Sequence, residues 1–271
     1  MDGANSDTLS FSKISHAYRS NWRQKIWQLL LVIFIAGVCA YYGGLFDVRR
    51  LSEGVPDLFS LLGEMLPPDF SNVGSWVKPV LDTLAMSVAG TSLAIFFSLP
   101  LGFLAARNTS PHPLLYHAAR LLLNFLRSVP ELIMGIIFVA AVGFGALPGV
   151  LALGFHSIGM IGKFFAESIE HVDPAPVEAV TSSGVGRLSA IYHGILPQVL
   201  PQMIDTSIYR WEYNFRASTV MGMVGAGGIG FELMSSLRLM RYQEVAAILL
   251  AILLAVTLVD ALSSLLRKHS K

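Results

Sequence analysis

LIMGIIFVAAVGFGALPGVLALGFHSIGMIG, residues 132–162, runs for 31 residues without Asp, Glu, Lys or Arg. A helix crossing a ~30 Å hydrocarbon core needs about 20 mostly apolar residues at 1.5 Å rise each. The run is too long for one crossing. Its middle, GFGALPG at 143–149, sets glycines around a proline, which is turn chemistry. It therefore predicts two membrane helices, about 129–147 and 150–169.

Similar runs lie on either side. Ile26–Phe46 and Thr83–Ala106 are charge-free, and a sixth span over about 242–266 centres on Val245–Val259. A fifth, 198–224, carries Asp205, Arg210, Glu212 and Arg216 between apolar flanks. Composition agrees: charged residues are 14% of the 271, against roughly 25% in soluble proteins. The expectation is an all-α membrane protein, a polytopic bundle of about six transmembrane helices. A disordered chain, a collagen and a coiled coil are excluded. A net charge of +1 gives no bulk attraction to nucleic acid. The lone Cys39 forms neither an internal disulfide nor a thiolate metal site.

The first run has no small-x-small cleavage site after it, so a retained anchor is expected rather than a signal peptide. Orientation follows from Lys and Arg in the loops. Lys13, Arg19, Arg23, Lys25, Arg107, Arg120, Lys163, Arg187, Arg210, Arg267, Lys268 and Lys271 fall on one side. Only Arg49, Arg50, Lys78, Arg238 and Arg241 fall on the other. The richer side is expected to be cytoplasmic, with both termini on it. The chain then divides into a cytoplasmic segment 1–25, an anchor 26–46, an outer loop 47–79 and a core 80–271. VPDLFSLLGEML (55–66) has helical apolar spacing and predicts an amphipathic helix in that loop.

The longest inner segment, 170–197, opens EHVDPAPVEAV. Asp173 is placed to cap a helix with Pro174 and Pro176 in its first turn, expected to span about 174–193. Pro197 is expected to stop it or turn the chain back. Within it stand Glu178, Ala179 and Val180, then Gly184, then Leu196 and Pro197. This resembles the cytoplasmic signature of ABC-importer permeases: Glu-Ala-Ala, three residues, Gly, nine residues, Ile, any residue, Leu-Pro. Val180 replaces the second Ala, and Gly194 sits in the Ile position. RSVPELIMGIIFVA (127–140) and YNFRASTVMGMVGAGGIG (213–230) resemble permeases of phosphonate-uptake ABC importers. The likeness runs from about residue 80 to the end.

The resemblance implies a type I-like importer permease in a bacterial inner membrane, with 174–193 as coupling helix. It implies a second copy of the chain, two cytoplasmic ATPase subunits and a periplasmic substrate-binding protein. ATP and Mg belong to the ATPase, so this chain binds no cofactor. Glu178, Ala179, Gly184, Leu196 and Pro197 become ATPase-coupling candidates, Gly184 by permitting close approach. From the residues alone, Glu178 is equally a first-turn carboxylate favoured by the helix dipole.

On the fifth span, Tyr209, Glu212, Arg216, Thr219 and Met223 lie within about 40° of Asp205 at 100° per residue. Arg216 falls about 18 Å along from Ile204, near mid-membrane, where charge costs about 2.5–3.5 kcal/mol. The stripe Arg216, Glu212, Tyr209 and Thr219 is the candidate path for an anion, Arg216 offering a planar fork and Glu212 neutralising it. A structural ion pair between helices is the competing reading. Arg210, off the stripe, is expected to snorkel to water. Arg127 with Glu131 reads as an i,i+4 boundary pair, and Asp82 as a cap.

GAGGIG (225–230) satisfies G-x-G-x-x-G, but no βαβ unit surrounds it. Gly225, Gly227, Gly228 and Gly230 are read instead as an outer turn that lets permease copies or the binding protein approach. No H-E-x-x-H, G-x-S-x-G or Walker A sequence occurs, so neither a metal nor a catalytic set is expected. The substrate reading is phosphonate or a related phosphorus oxyanion. Phosphite, phosphate ester, methionine or another small solute remain alternatives, as does a stand-alone secondary transporter. The last would need an internal repeat of spans.

Overall fold

The computed structural model describes Trp22 and residues 25–269. The segment 1–25, apart from Trp22 and Lys25, and Lys271 lie outside the described residues, and so do Lys13, Arg19 and Arg23. Two units are distinguished, through Gly63 and from Glu64 onward.

The first unit holds α1 (Lys25–Tyr42) and α2 (Val48–Glu64, reaching one residue beyond it). The α1 side chains from Leu29 to Ile35 are exposed all round, the surface of a helix made for lipid. Helix α2 starts seven residues before the predicted amphipathic stretch. Asp47 caps it, accepting from Arg50 N–H at 3.2 Å, and Arg49 pairs with Glu53 at 3.0 Å.

The second unit begins before the predicted core boundary at 80. Helix α3 (Val73–Ala105) reaches down into the expected outer loop. Asp69 N–H donates to Gln243 O at 3.1 Å and Asn72 Nδ2 to Glu244 at 3.1 Å, so this stretch is tied to the last helix. Buried Trp76 packs there among Ile229, Ala247 and Ile248.

Helix α4 (Pro113–Ser128) and α5 (Glu131–Val142) meet at 88°. Pro130 causes the bend: it supplies no N–H and holds Val129 extended, at φ −86°, ψ 119°. The third span is therefore not a continuous 129–147 helix. It starts at Glu131 and ends at Gly143, whose φ is +88°. Helix α6 (Ala146–Glu170) starts earlier than 150 because Pro148 fits in a first turn, where its missing N–H costs nothing.

Helix α7 (Pro174–Ser182) is capped by Asp173, which accepts from Ala175 N–H at 2.9 Å. It stops eleven residues short of His193. Gly184 takes φ +81°, a left-handed conformation that ends a helix. The chain resumes as α8 (Arg187–Ala190), widens into a π-turn over Ile191–Ile195, and continues as α9 (Leu196–Met221). Pro197 does not break it: it occupies the first turn of α9. A 3₁₀ turn, Gly222–Val224, leads to α10 (Ile229–Arg238), and α11 (Tyr242–His269) closes the chain. Four helices are long and apolar enough to cross a membrane, and the bent pairs α4–α5 and α8/α9–α10 raise the number to six among the described residues.

Helix α6 is the centre of this unit. It packs on α3, α4, α5 and α9. Ile161, Phe165 and Ile169 meet Ala94, Leu123 and Val199 in one core, and Leu153 meets Met86 and Met221 in a second. Glycine sets the spacing. A Cβ on Gly102 would lie 2.8 Å from Phe165 Cβ. One on Gly159 would lie 2.6 Å from Arg127 N and 2.7 Å from Leu123 O, both backbone atoms that cannot swing aside.

Gly159→Val is therefore expected to destabilise the purified protein by about 1–3 kcal/mol, read as a lowered Tm in detergent. Gly54→Ala, inside α2 with nothing within 4 Å, should not lower Tm and should raise the helix's own stability slightly.

Candidate functional site

Helix α9 carries charge on two faces. On the first, Glu212 is buried and its carboxylate accepts from three side chains. Arg216 Nη2 donates to Oε1 at 2.8 Å, while Ser263 Oγ at 2.8 Å and Arg267 Nη2 at 3.3 Å donate to Oε2. Two of these donors belong to α11, so Glu212 locks α9 to α11. Arg216 is half exposed, its side chain 44% accessible, with Asp260 at 3.8 Å. It stands on the wall of a cleft of about 460 Å³ shared with Glu131, Leu132, Tyr213 and Val220. Tyr209 is exposed and Thr219 donates to the Arg216 carbonyl of its own helix at 2.7 Å; neither lines the cleft.

The second face holds groups the pattern along α9 did not rank. Arg210 does not snorkel. It is 6% exposed, donates from Nε to Ser157 Oγ at 2.9 Å, and stacks over the Tyr213 ring with Cζ 4.3 Å from its centroid. Its Nη2 is buried, with no hydrogen-bond partner among the described residues. Asn214 donates to Thr91 at 2.8 Å and accepts from Ser157 at 3.0 Å, joining α9 to α3 and α6. The spacing Arg210, Asn214, Ser218 (i, i+4, i+8) was the available signal of a second polar stripe.

Glu131 likewise departs from its expected pairing. Arg127 donates to Asn124 at 3.1 Å, whereas Glu131 accepts from Tyr213 Oη at 2.7 Å and faces His156 Nε2 at 3.1 Å. His156 Nδ1 lies 3.0 Å from Val129 O. Both ring nitrogens thus face acceptors. Asp82 pairs with Lys78 at 3.2 Å, which replaces the cap reading.

The glycine turn packs closely against its own chain. Gly225, Gly227 and Gly228 have φ of +99°, +77° and +72°. A Cβ on Gly228 would lie 2.5 Å from Thr83 Oγ1, and one on Gly230 would collide with the Thr219 carbonyl. At the other end, Glu178, Ala179 and Gly184 are exposed and α7 buries no residue. Gly184 has open space around it within this chain, and its left-handed φ by itself favours glycine. Leu196 is half buried and Pro197 exposed. Gly194 is buried, and a Cβ there would lie 3.1 Å from Val177 Cα, so α7 rests directly on it.

Membrane-crossing helices bent at proline and glycine, with buried ion pairs and a cleft opening beside an arginine, define a transport permease. Residues 98–271 match the family model described as the binding-protein-dependent transport system inner membrane component. The phosphite transport system permease protein PtxC of Stutzerimonas stutzeri is 63% identical over 258 residues, 95% of this chain and 94% of that protein. The putative cryptic phosphonate transport system permease protein PhnE2 of Escherichia coli K12 is 44% identical over 120 residues, 44% of this chain and 98% of its own length. Among solved structures, an inward-facing MetNI methionine ABC transporter chain aligns with TM-score 0.63 at 19% identity, covering 72% of this chain and 96% of that one; it shows the fold. The chain belongs to the binding-protein-dependent transport system inner membrane component family. It is a multi-pass inner-membrane permease subunit of an ABC importer.

Removing the Glu212 carboxylate takes one partner from Arg216 and another from Arg267. Glu212→Ala is expected to cost about 3 kcal/mol of stability, measured by thermal unfolding in detergent. The double variant with Arg216→Ala should recover part of that loss, since the two residues are coupled.

Proposed function

We propose that this permease carries a phosphorus oxyanion, phosphite or a phosphonate, and that the Arg216 cleft belongs to its path. The observation that carries the reading is the half-exposed Arg216 guanidinium on the cleft wall, held by Glu212 at 2.8 Å. A planar fork suits the oxygens of a tetrahedral oxyanion. Pairing with Glu212 keeps that fork from binding its cargo too tightly to release. The names of the phosphite and phosphonate relatives support the same substrate class. Glu212 acts as a positioning residue, and Tyr213 joins Arg216 where Tyr209 and Thr219 were first expected.

In the assembled importer, two copies of this chain form the membrane core. ATP and Mg bind on two separate ATPase subunits at the cytoplasmic face, and a periplasmic binding protein delivers the solute. Both termini and α7 face the cytoplasm. Helix α7, exposed along its length and seated on Gly194, is the part the ATPase grips through Glu178, Ala179 and the Gly184 turn. ATPase closure then moves α7 and rocks the helices behind it.

Two measurements test this. In cells or proteoliposomes holding the whole importer, Arg216→Ala should lower phosphite uptake at least about tenfold while the complex still assembles; unchanged uptake makes the pair purely structural. Ala179→Arg should leave the permease in the membrane but remove the ATPase from the purified complex, and normal co-purification would refute the docking role.

A further inference from the structure

Helices α4 and α6 present matched polar stripes to one another. Arg120, Asn124 and Arg127 recur at i, i+4, i+7 on α4, and Lys163, Glu167 and Glu170 do so on α6. Between them lies a pocket of about 230 Å³ lined by Arg120, Asn124, Arg127, Lys163 and Glu167 over Leu123.

The charges in it do not balance. Arg120 is matched by Glu170, which accepts from its Nη2 at 2.8 and 2.9 Å. Lys163 lies 3.4 Å from Glu167. Arg127 keeps only the Asn124 side-chain oxygen at 3.1 Å, and among the described residues no carboxylate oxygen lies within 4.0 Å of it. One guanidinium is left over, its planar fork suited to a phosphoryl group.

Position and surroundings narrow the ligand. Lys163 is seven residues, about 10 Å, from the end of α6 at Glu170; the Arg127 backbone lies deeper, level with Gly159, but its side chain turns back to Asn124, so the charged groups gather toward the helix end and the headgroups. Beside the polar stripe, the next stripe of α4 carries Leu121 and Phe125, 72% and 62% exposed. A cationic pocket bordered by bare apolar side chains fits a ligand that is anionic at one end and greasy at the other. We propose that the α4–α6 pocket binds the phosphate of an anionic phospholipid, with its acyl chains along Leu121 and Phe125. A phosphodiester and free phosphate share the oxyanion that Arg127 would recognise; the apolar border selects the lipid.

The test uses the full importer complex, purified and delipidated, then titrated in nanodiscs and by native mass spectrometry with phosphatidylglycerol or phosphatidylcholine. The native protein should retain phosphatidylglycerol with about tenfold preference over phosphatidylcholine. Arg127→Gln combined with Lys163→Gln should bring that preference close to one while the complex still assembles. Should the double variant fail to assemble, Asn124→Asp adds a negative charge without removing either ion pair and should weaken phosphatidylglycerol in the same way. Equal retention of the two lipids by the native protein overturns the proposal, as does undiminished preference in an assembled variant. Displacement of phosphatidylglycerol by millimolar inorganic phosphate, with no headgroup preference, would show a free-oxyanion site and overturn the lipid assignment.

Discussion

Helix α6 has to be reached from several sides at once, and the closeness of that approach sets the rest of the architecture. Lipid tails are as apolar as leucine, so helices in a bilayer gain little from hiding apolar surface and must gain from close packing and hydrogen bonds. Gly154 brings Leu93 of α3 to within 2.7 Å of where a Cβ would stand, and Gly159 admits the backbone of α4 itself. With α3 and α4 drawn this near, Ser157 comes within reach of Asn214 and Arg210 on α9. The polar network thus depends on the glycine packing.

Two arginines on α9 show two ways of keeping a guanidinium inside a membrane protein. Arg216 has a carboxylate at 2.8 Å and an open cleft beside it. Arg210 has a hydroxyl, an aromatic face and one buried nitrogen without a partner among the described residues.

Much of this fold was legible because bilayer physics writes itself into runs of uncharged residues. GFGALPG marked a true break, and Asp173 before Pro174 marked a true cap, because both are local chemistry. The pairing of Glu212 with Arg216 was legible because it lies within one helical turn. What local reading missed was reached across helices. Glu131 had Arg127 four residues away, yet its partners are His156 and Tyr213, brought together by the bend at Pro130. Arg210 looked free to reach water because nothing in its own helix shows that α6 covers it. The break at Gly184 was missed because a left-handed backbone conformation is not marked by residue spacing.

The π-turn at Ile191–Ile195 gives the joint between α8 and α9 one spare residue. Loss of a residue there has an outlet: the wide turn tightens into an ordinary one, and everything downstream keeps its angular register. The same deletion early in α9 would swing Glu212 about 100° around the helix axis, out of reach of Ser263 and Arg267 on α11. Homologous chains that differ in length between α7 and α9 can therefore absorb the difference at this joint and still present an identical set of charges to the helices beyond it.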